Sequence, residues 1–386
     1  MIMCLFKEFI LGSLLCAFTA CSSDDSDGKI EKKPDDTTAM DTITYRALVY
    51  IDEPSLNLRY GGEKRFNQNL QTLFYNTTRF WNNSKNKFKY YFRFVPAGLK
   101  VYSHVDGQEY KEASQEAGGP LDPARYDYVV FFCLAAPSNT MSCGGSSDGH
   151  SVIWCTKTLE TQKRDGDIFN DGVYPTKLGT YSNLGHEAGH FRGATDLYQY
   201  PIQAKNNPIN GETYHPGPCN MGTGEWAWSD YASAVFNYTA RYKRLPSDWS
   251  ERRFPQSIEI TVKNKDGQPV KDATVKLYGC RGGGGDKGLP SGDNGPDVYK
   301  EPFRTYSTDN NGKVVINNAY RLYQVEKNKE NNLPDVLPWD YWFNFLVEAT
   351  DQNNNKAYVW MPDLEIQRQH LDEDTQVYHT EIIYKH

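Results

Sequence analysis

The spacing of apolar residues changes along the chain, and it predicts two regions of different structure. In the first region, apolar residues recur at helical spacing over 66–81 and predict a long helix. Strands are predicted at 45–51 and 88–95, and the nearly continuous apolar run 126–134 is typical of a strand buried on both faces. Strands that alternate with helices in this way favour a mixed sheet covered by helices.

From residue 257 onward the pattern becomes one of short alternating runs separated by turns. Such runs are predicted to be strands at 258–262, 273–278, 314–316, 341–349, 357–361 and 376–384. This pattern is typical of an all-β sandwich. We therefore predict an α+β protein with one domain over 43–255 and a β-sandwich domain over 256–386.

The first 42 residues predict export rather than folded structure. Residues 1–20 have one early positive charge and a short apolar run, as a signal peptide does. Cys21 follows small residues, which resembles a bacterial lipobox, and the acidic run after it resembles the surface-export signal of Bacteroidetes lipoproteins. We expect lipid on Cys21, a disordered tether over 21–42 and an outer-membrane protein exposed at the cell surface. Ordinary secretion with cleavage near Ala20 is the alternative.

The charge of the chain excludes one class of partner. The 386 residues carry a formal net charge of −7, and the Lys and Arg residues form no basic stripe. Nucleic acid is therefore not an expected partner, and we expect a monomer.

Five cysteines follow the signal segment: Cys133, Cys143, Cys155, Cys219 and Cys280. Their number is odd, so at least one thiol is free or bonded to another molecule. A bridge between Cys143 and Cys155, or between either of these and Cys219, is compatible with the sequence.

An acidic loop precedes the most informative motif of the chain. Its two turns, 165–167 and 170–172, contain several Asp and Asn side chains. Their spacing does not match an EF-hand, so a solvated loop is favoured over a structural Ca²⁺ site.

The motif itself is His186-Glu187-x-x-His190. Residues four apart lie on one face of a helix, so the two imidazoles can bind one metal ion. Neutral imidazole suits Zn²⁺, and two nitrogen ligands leave room for a third ligand and a water molecule. Glu187 can then act as the general base that takes a proton from this water.

The residues after the motif offer a third ligand. Gly193 permits a sharp turn at the end of the helix, and the turn can bring Asp196 back to the metal. His215 and Glu225 are alternative third ligands.

His186, Glu187, His190, Gly193 and Asp196 match the metzincin pattern His-Glu-x-x-His-x-x-Gly-x-x-His, whose last position is Asp in some members. The chain thus resembles a metzincin-type zinc peptidase. Within that group, Asp196-Leu197-Tyr198 followed by Asn220-Met221-Gly222 resembles the immune-inhibitor-A-like peptidases of bacteria.

The resemblance implies further roles. Met221 would be the Met-turn residue, an apolar floor beneath the metal site. Tyr214 or Tyr231 would stabilise the oxyanion, since no Tyr stands two residues after Met221. The strand at 151–155 would be the edge that pairs with an extended peptide substrate. Similarly, 257–320 resembles the transthyretin-like sandwich modules of secreted bacterial proteins.

These observations lead to one expected function and one alternative. We expect a zinc-dependent endopeptidase that hydrolyses peptide bonds of extracellular proteins. The alternative is a non-catalytic or glycopeptide-directed surface binding protein that retains the metzincin scaffold.

Overall fold

The computed structural model describes the greater part of the chain after residue 39. It covers residues 40–59, 61–83, 87–103, 122–133, 142–145, 150–154, 179–222, 225–280, 298–324 and 342–385. The predicted signal peptide, Cys21, most of the tether, the acidic loop at 165–172 and Cys155 lie outside these residues. No helix among them has the length and apolarity needed to cross a bilayer.

Contacts between residues divide the chain into two compact units. The first comprises residues 1–78 and 91–184, and the second comprises 79–90 and 185–386. The second unit contains the whole candidate metal motif and the C-terminal strands. The predicted domain boundary at residue 255 stays a prediction.

The first unit contains a five-stranded sheet in the order β2-β1-β3-β5-β4. Its strands are β1 (Thr42–Asp52), β2 (Tyr91–Tyr102), β3 (Tyr128–Cys133), β4 (Ser142–Gly145) and β5 (His150–Trp154). The pairs among β2, β1, β3 and β5 are parallel, while β4 runs antiparallel to β5. The predicted mixed sheet is therefore confirmed.

The position of β5 corrects one expectation. β5 lies between β3 and β4, so it is not an edge strand, and the expectation that 151–155 forms the edge is wrong. Among the described strands, the edge beyond β5 is β4. Its sequence, Ser-Cys-Gly-Gly, lacks apolar alternation and therefore gives no strand signal.

Helix α1 (Glu63–Trp81) confirms the helix predicted at 66–81. Phe66 on this helix packs edge-to-face against Phe132 of β3, with ring centroids 5.4 Å apart. Both rings are fully buried, so the apolar stripe of α1 covers the sheet as its spacing predicts.

The C-terminal part of the second unit consists of two sheets, in the orders β11-β10-β7-β8 and β12-β6-β9. Their strands are β6 (Ser257–Lys263), β7 (Thr274–Cys280), β8 (Arg304–Ser307), β9 (Lys313–Asn317), β10 (Asn344–Thr350), β11 (Lys356–Pro362) and β12 (Val377–Ile383). Alternate residues of both sheets share one apolar core, which includes Ile258, Ile260, Leu277, Phe345 and Val347.

This region is not all-β, contrary to prediction. It also contains helix α5 (Ala319–Tyr323) and helix α6 (Asp363–Glu373). Helix α6 buries polar residues, among them Gln367 and His370, beside apolar ones. Its apolar spacing alone therefore does not mark a helix. Across the described residues the fold is mixed α and β, with several sheets and few helices.

Three more helices lie before the two sheets: α2 (Thr180–Phe191), α3 (Asp230–Thr239) and α4 (Trp249–Arg252). Ser229 caps α3, because its hydroxyl accepts a hydrogen bond of 3.2 Å from Ala232 N.

The segment after α2 packs against the C-terminal sheets. The Tyr200 hydroxyl donates a hydrogen bond of 2.8 Å to Asp363 Oδ1 at the start of α6, and both residues are buried. The Tyr200 ring also meets Phe343 edge-to-face at 5.0 Å. Ile202 joins a buried apolar cluster with Tyr278 and Leu346. The C-terminal strands thus support the chain that leads away from the candidate metal motif.

Candidate metal centre

Helix α2 carries the motif and ends in a turn that only glycine fits. Gly193 has φ of +87°, in the left-handed region. A Cβ on Gly193 would lie 2.5 Å from the Trp249 indole nitrogen, so a side chain has no space there. Ala194 N donates to Gly189 O at 3.0 Å, which closes the turn and redirects the chain towards Asp196.

His186, Glu187 and His190 form a cluster whose potential ligand atoms all lie within 4.8 Å of one another. The two imidazole rings are 5.1 Å apart and nearly perpendicular. Glu187 is only 5% exposed. By distance and residue type, this cluster could hold a metal ion.

Asp196 lies against the same two imidazoles. Its Oδ1 is 3.0 Å from His186 Nε2 and 3.2 Å from His190 Nε2. This oxygen is buried, and it has no hydrogen-bond partner. Two ring nitrogens and a carboxylate oxygen therefore converge without satisfying one another, which is the arrangement that a metal ion would complete.

The two alternative third ligands are placed differently. His215 and Glu225 are both exposed. Neither belongs to the His186–Glu187–His190 cluster, the group with metal-binding spacing within the described part of the chain. The structure thus brings Asp196, and not His215 or Glu225, against the imidazoles.

Backbone carbonyls fix the orientation of both imidazoles. His186 Nδ1 donates to Asn220 O at 2.7 Å, and His190 Nδ1 donates to Ala194 O at 3.0 Å. A neutral imidazole that donates from Nδ1 has its lone pair on Nε2. Both Nε2 atoms face Asp196, and each carries the lone pair that binds a metal once its ring is neutral.

Met221 packs against the motif helix, and its role as a Met-turn residue stays a prediction. It is fully buried, and a Cβ on Gly189 would lie 2.4 Å from its sulfur. Its carbonyl accepts a hydrogen bond of 2.7 Å from Leu197 N, next to Asp196. The small residue at position 189 thus allows close contact between Met221 and the helix backbone.

Burial and charge act in opposite directions on these groups. Burial lowers the pKa of both His186 and His190, but the nearby Asp196 carboxylate more than offsets this. The pKa of His186 rises to about 9 and that of His190 also rises. The imidazoles hold the pKa of Asp196 well below its usual range despite its burial. Burial raises the pKa of Glu187.

Tyr198 was not selected from the sequence, yet it contacts two of the site residues. Its hydroxyl donates a hydrogen bond of 2.7 Å to Asp196 Oδ2. Its ring lies parallel to that of His186, with centroids 6.4 Å apart. The available signal was its position two residues after a candidate ligand, where an outer-shell hydrogen-bond donor can reach back.

The two candidate oxyanion residues have other contacts in this structure. The Tyr231 hydroxyl accepts a hydrogen bond of 3.3 Å from Thr195 N. Tyr214 is half-buried, and its ring packs against Trp360 with centroids 5.6 Å apart. Burial raises the pKa of Tyr214.

Cys219 and Cys280 are free and buried. Cys219 Sγ accepts a hydrogen bond of 3.3 Å from Ser229 N. A bridge from Cys219 to Cys143 or Cys155 is therefore wrong, because the thiol faces the start of α3. The alternative bridge between Cys143 and Cys155 lies outside the described side chains.

No protein-family model and no curated protein matches the chain. Among solved structures, it is similar to a chaperone–substrate complex at 13% identity and a TM-score of 0.34, over 53% of this chain and 35% of that one. A dioxygenase domain from Streptomyces sp. SirexAA-E has 9% identity and a TM-score of 0.17, over 34% and 79%. The major pilin subunit of Bacillus cereus has 11% identity and a TM-score of 0.15, over 34% and 30%. The chain thus spans about a third of the first of these structures, and similarities this low do not bear on its function.

Proposed function

We propose that this protein is a zinc-dependent endopeptidase that acts on extracellular proteins. One observation carries the proposal: the buried Asp196 Oδ1 lies 3.0 and 3.2 Å from two imidazole nitrogens and is not hydrogen-bonded to either. Backbone carbonyls bind the Nδ1 atoms of both imidazoles, so Nε2 is the ring nitrogen left to bind a metal.

The donor set fits zinc. His186, His190 and Asp196 offer two nitrogens and one carboxylate oxygen, the composition of catalytic sites that keep one position open. Zn²⁺ held there would supply Lewis acidity and would lower the pKa of a water molecule bound at the open position. A closed structural site would instead use four protein ligands.

Glu187 has the environment of a general base. Its carboxylate lies within 4.8 Å of the ligand atoms of both histidines, and burial raises its pKa. A carboxylate with a raised pKa accepts a proton from water more readily and can return it to the leaving amine. Such a residue has no use in a purely structural site, so Glu187 favours the enzyme over the binding protein.

The decisive experiment compares zinc content and proteolysis in the wild type and Glu187→Gln. We expect both proteins to bind zinc, as measured by mass spectrometry. We expect Glu187→Gln to cleave unfolded casein about 10²–10⁴-fold more slowly, since general-base catalysis supplies this factor.

Glu251→Gln, which changes an exposed glutamate on α4, is the matched control and should cleave casein at the wild-type rate. The proposal fails if the wild type binds zinc but cleaves casein no faster than Glu187→Gln. It also fails if the wild type does not bind zinc.

A further inference from the structure

The segment that follows helix α3 is basic, although the chain as a whole is acidic. Residues 241–253 contain five basic and two acidic side chains, while the whole chain has a formal net charge of −7. The five basic residues are Arg241, Lys243, Arg244, Arg252 and Arg253. Positive charge is therefore concentrated locally in the second unit, where an anionic partner would be attracted.

Three of these basic side chains are not neutralised by a neighbouring carboxylate. Arg241, Lys243 and Arg244 are exposed, and none of them forms an ion pair with another residue that the structure describes. Arg252, by contrast, is paired with Asp248 at 2.8 Å. Like charges this close in the chain repel one another, so an anion bound among the three would relieve their repulsion.

The Arg241 side chain is restrained by two tyrosine rings. Its guanidinium carbon lies 3.9 Å from the centroid of the Tyr238 ring and 5.1 Å from that of Tyr242. Tyr238 in turn packs against the buried Trp249, with centroids 6.0 Å apart. A guanidinium placed over a ring keeps the N–H groups at its edge available, and these bind carboxylate, sulfate or phosphate through paired hydrogen bonds.

The end of α3 is also prepared for negative charge nearby. The last carbonyls of a helix carry a partial negative charge and disfavour anions. Here the buried Arg192 donates hydrogen bonds to Thr239 O and, at 3.0 Å, to Tyr242 O. The positive charge of Arg192 thus offsets the negative helix end beside Arg241.

We propose that Arg241, Lys243 and Arg244 bind an acidic polysaccharide, whose sugars carry carboxylate or sulfate groups. A polymer with repeated anions can contact several cations at once. The half-buried Tyr242 leaves part of its ring for the apolar face of a sugar. This inference goes beyond the proposed peptidase function and does not depend on it.

Other polyanions fit this surface less well. An anionic membrane would be bound more stably with large apolar side chains beside the cations, but those exposed in the described ranges lie outside 241–253. They are Met40, Tyr75, Val101, Val315 and Ile383. Duplex nucleic acid would need a longer basic stripe.

The test measures binding of the full chain to immobilised chondroitin sulfate, hyaluronan and uncharged dextran. The variant is the triple substitution Arg241→Gln, Lys243→Gln and Arg244→Gln. The matched control is Lys265→Gln, Lys271→Gln and Arg304→Gln, which removes the same number of exposed charges from the second unit. Arg304 also lies over an aromatic ring, that of Phe303 at 4.1 Å. Circular dichroism verifies that both variants are folded.

The wild type should bind chondroitin sulfate, hyaluronan or both more tightly than dextran. This affinity should fall when the salt concentration is raised from about 0.05 M to about 0.5 M, because salt screens exposed charges. The triple substitution at 241–244 should weaken binding by at least about tenfold, since three exposed ionic contacts are lost. The control triple should keep the wild-type affinity, and so should Glu187→Gln, which separates this proposal from the peptidase.

Several results would overturn the proposal. One is a wild type that binds neither acidic polysaccharide more tightly than dextran. Another is an equal loss of affinity in the control triple, which would mean that binding follows the net charge and not this surface. Tighter binding to polyglutamate, to anionic phospholipid vesicles or to duplex DNA than to both polysaccharides would assign the surface to a different partner.

Discussion

Two carboxylates in the second unit, one buried and one largely buried, have opposite surroundings. Glu348 on β10 is 1% exposed, and its oxygens contact Lys356 at 3.0 Å and the Tyr358 hydroxyl at 2.9 Å. Asp196 contacts two imidazoles, and one of its oxygens has no hydrogen bond.

The two carboxylates differ in the kind of partner that each one contacts. The partners of Glu348 are a permanent cation and a hydroxyl on the neighbouring strand, so this carboxylate is satisfied by the fold alone. The partners of Asp196 are groups that can exchange a proton for a metal. A buried carboxylate therefore indicates a functional site when its partners leave it incompletely satisfied.

The largest effect should come from Asp196→Ala. If Asp196 is a ligand, zinc affinity should fall by more than about 100-fold, beyond the 10–100-fold usual for outer-shell residues. Competition with a chelator measures the affinity. His215→Ala and Glu225→Ala are controls that should bind zinc as the wild type does. Equal affinity in Asp196→Ala, with a loss in either control, would reverse the assignment of the third ligand.

Glu348→Ala should affect stability and not zinc. Its removal deletes the hydrogen bonds to Lys356 and Tyr358, and we expect the free energy of unfolding to fall by about 1–3 kcal/mol. The loss stays in this range because Lys356 is about half exposed and can regain water. Urea denaturation measures it. A change in zinc affinity would show that the two carboxylates are not independent.

Tyr198→Phe should produce an intermediate effect at the metal. It removes the hydrogen bond to Asp196 Oδ2 but keeps the ring beside His186, so zinc affinity should fall by about tenfold. Tyr238→Phe changes another half-buried tyrosine in the second unit and should bind zinc normally. An unchanged affinity in Tyr198→Phe would mean that Asp196 is positioned by the backbone alone.

The pH dependence of zinc affinity should be the most gradual effect. In the metal-free protein the pKa of His186 is about 9, so this imidazole is protonated at neutral pH and must lose its proton to bind zinc. Affinity should therefore rise by up to about tenfold per pH unit for each proton released, from pH 6.5 towards 9, and then level off. Calorimetry in buffers of different ionisation enthalpy counts the protons. Asp196→Ala should level off at a lower pH, because the carboxylate that raises the pKa is gone.

The sequence allowed the His-Glu-x-x-His motif to be identified, but not the groups that form hydrogen bonds with its side chains and with Asp196. His186 and His190 could be paired because helical spacing is a property of the chain itself. The carbonyl oxygens of Asn220 and Ala194, which accept hydrogen bonds from the imidazoles, could not be predicted. Every residue has a carbonyl group, and only the fold determines which one lies next to each ring. Tyr198 belongs to the segment that carries the family resemblance, but its hydrogen bond to Asp196 could not be predicted, since a tyrosine near a candidate ligand is common in a chain with 27 of them.

Elements were predictable where apolar periodicity dominates. Helix α1 follows its apolar periodicity, strands β1 and β3 coincide with apolar runs, and the structure confirms all three. Helix α6 and strand β4 were missed for different reasons: α6 buries Gln367 and His370 through hydrogen bonds, and β4 is rich in glycine. In both, contacts with the rest of the fold outweigh local preference.

The hydrogen bond between Tyr200 and Asp363 has a consequence for how the chain must be made. A polypeptide ending at residue 255 would lack Asp363, Phe343 and the apolar residues that cover Ile202. During translation, the stretch that begins at Asp196 would therefore be made before the residues that pack against it. If the proposed metal site is built on this stretch, it would therefore be assembled only after the last strands have been made.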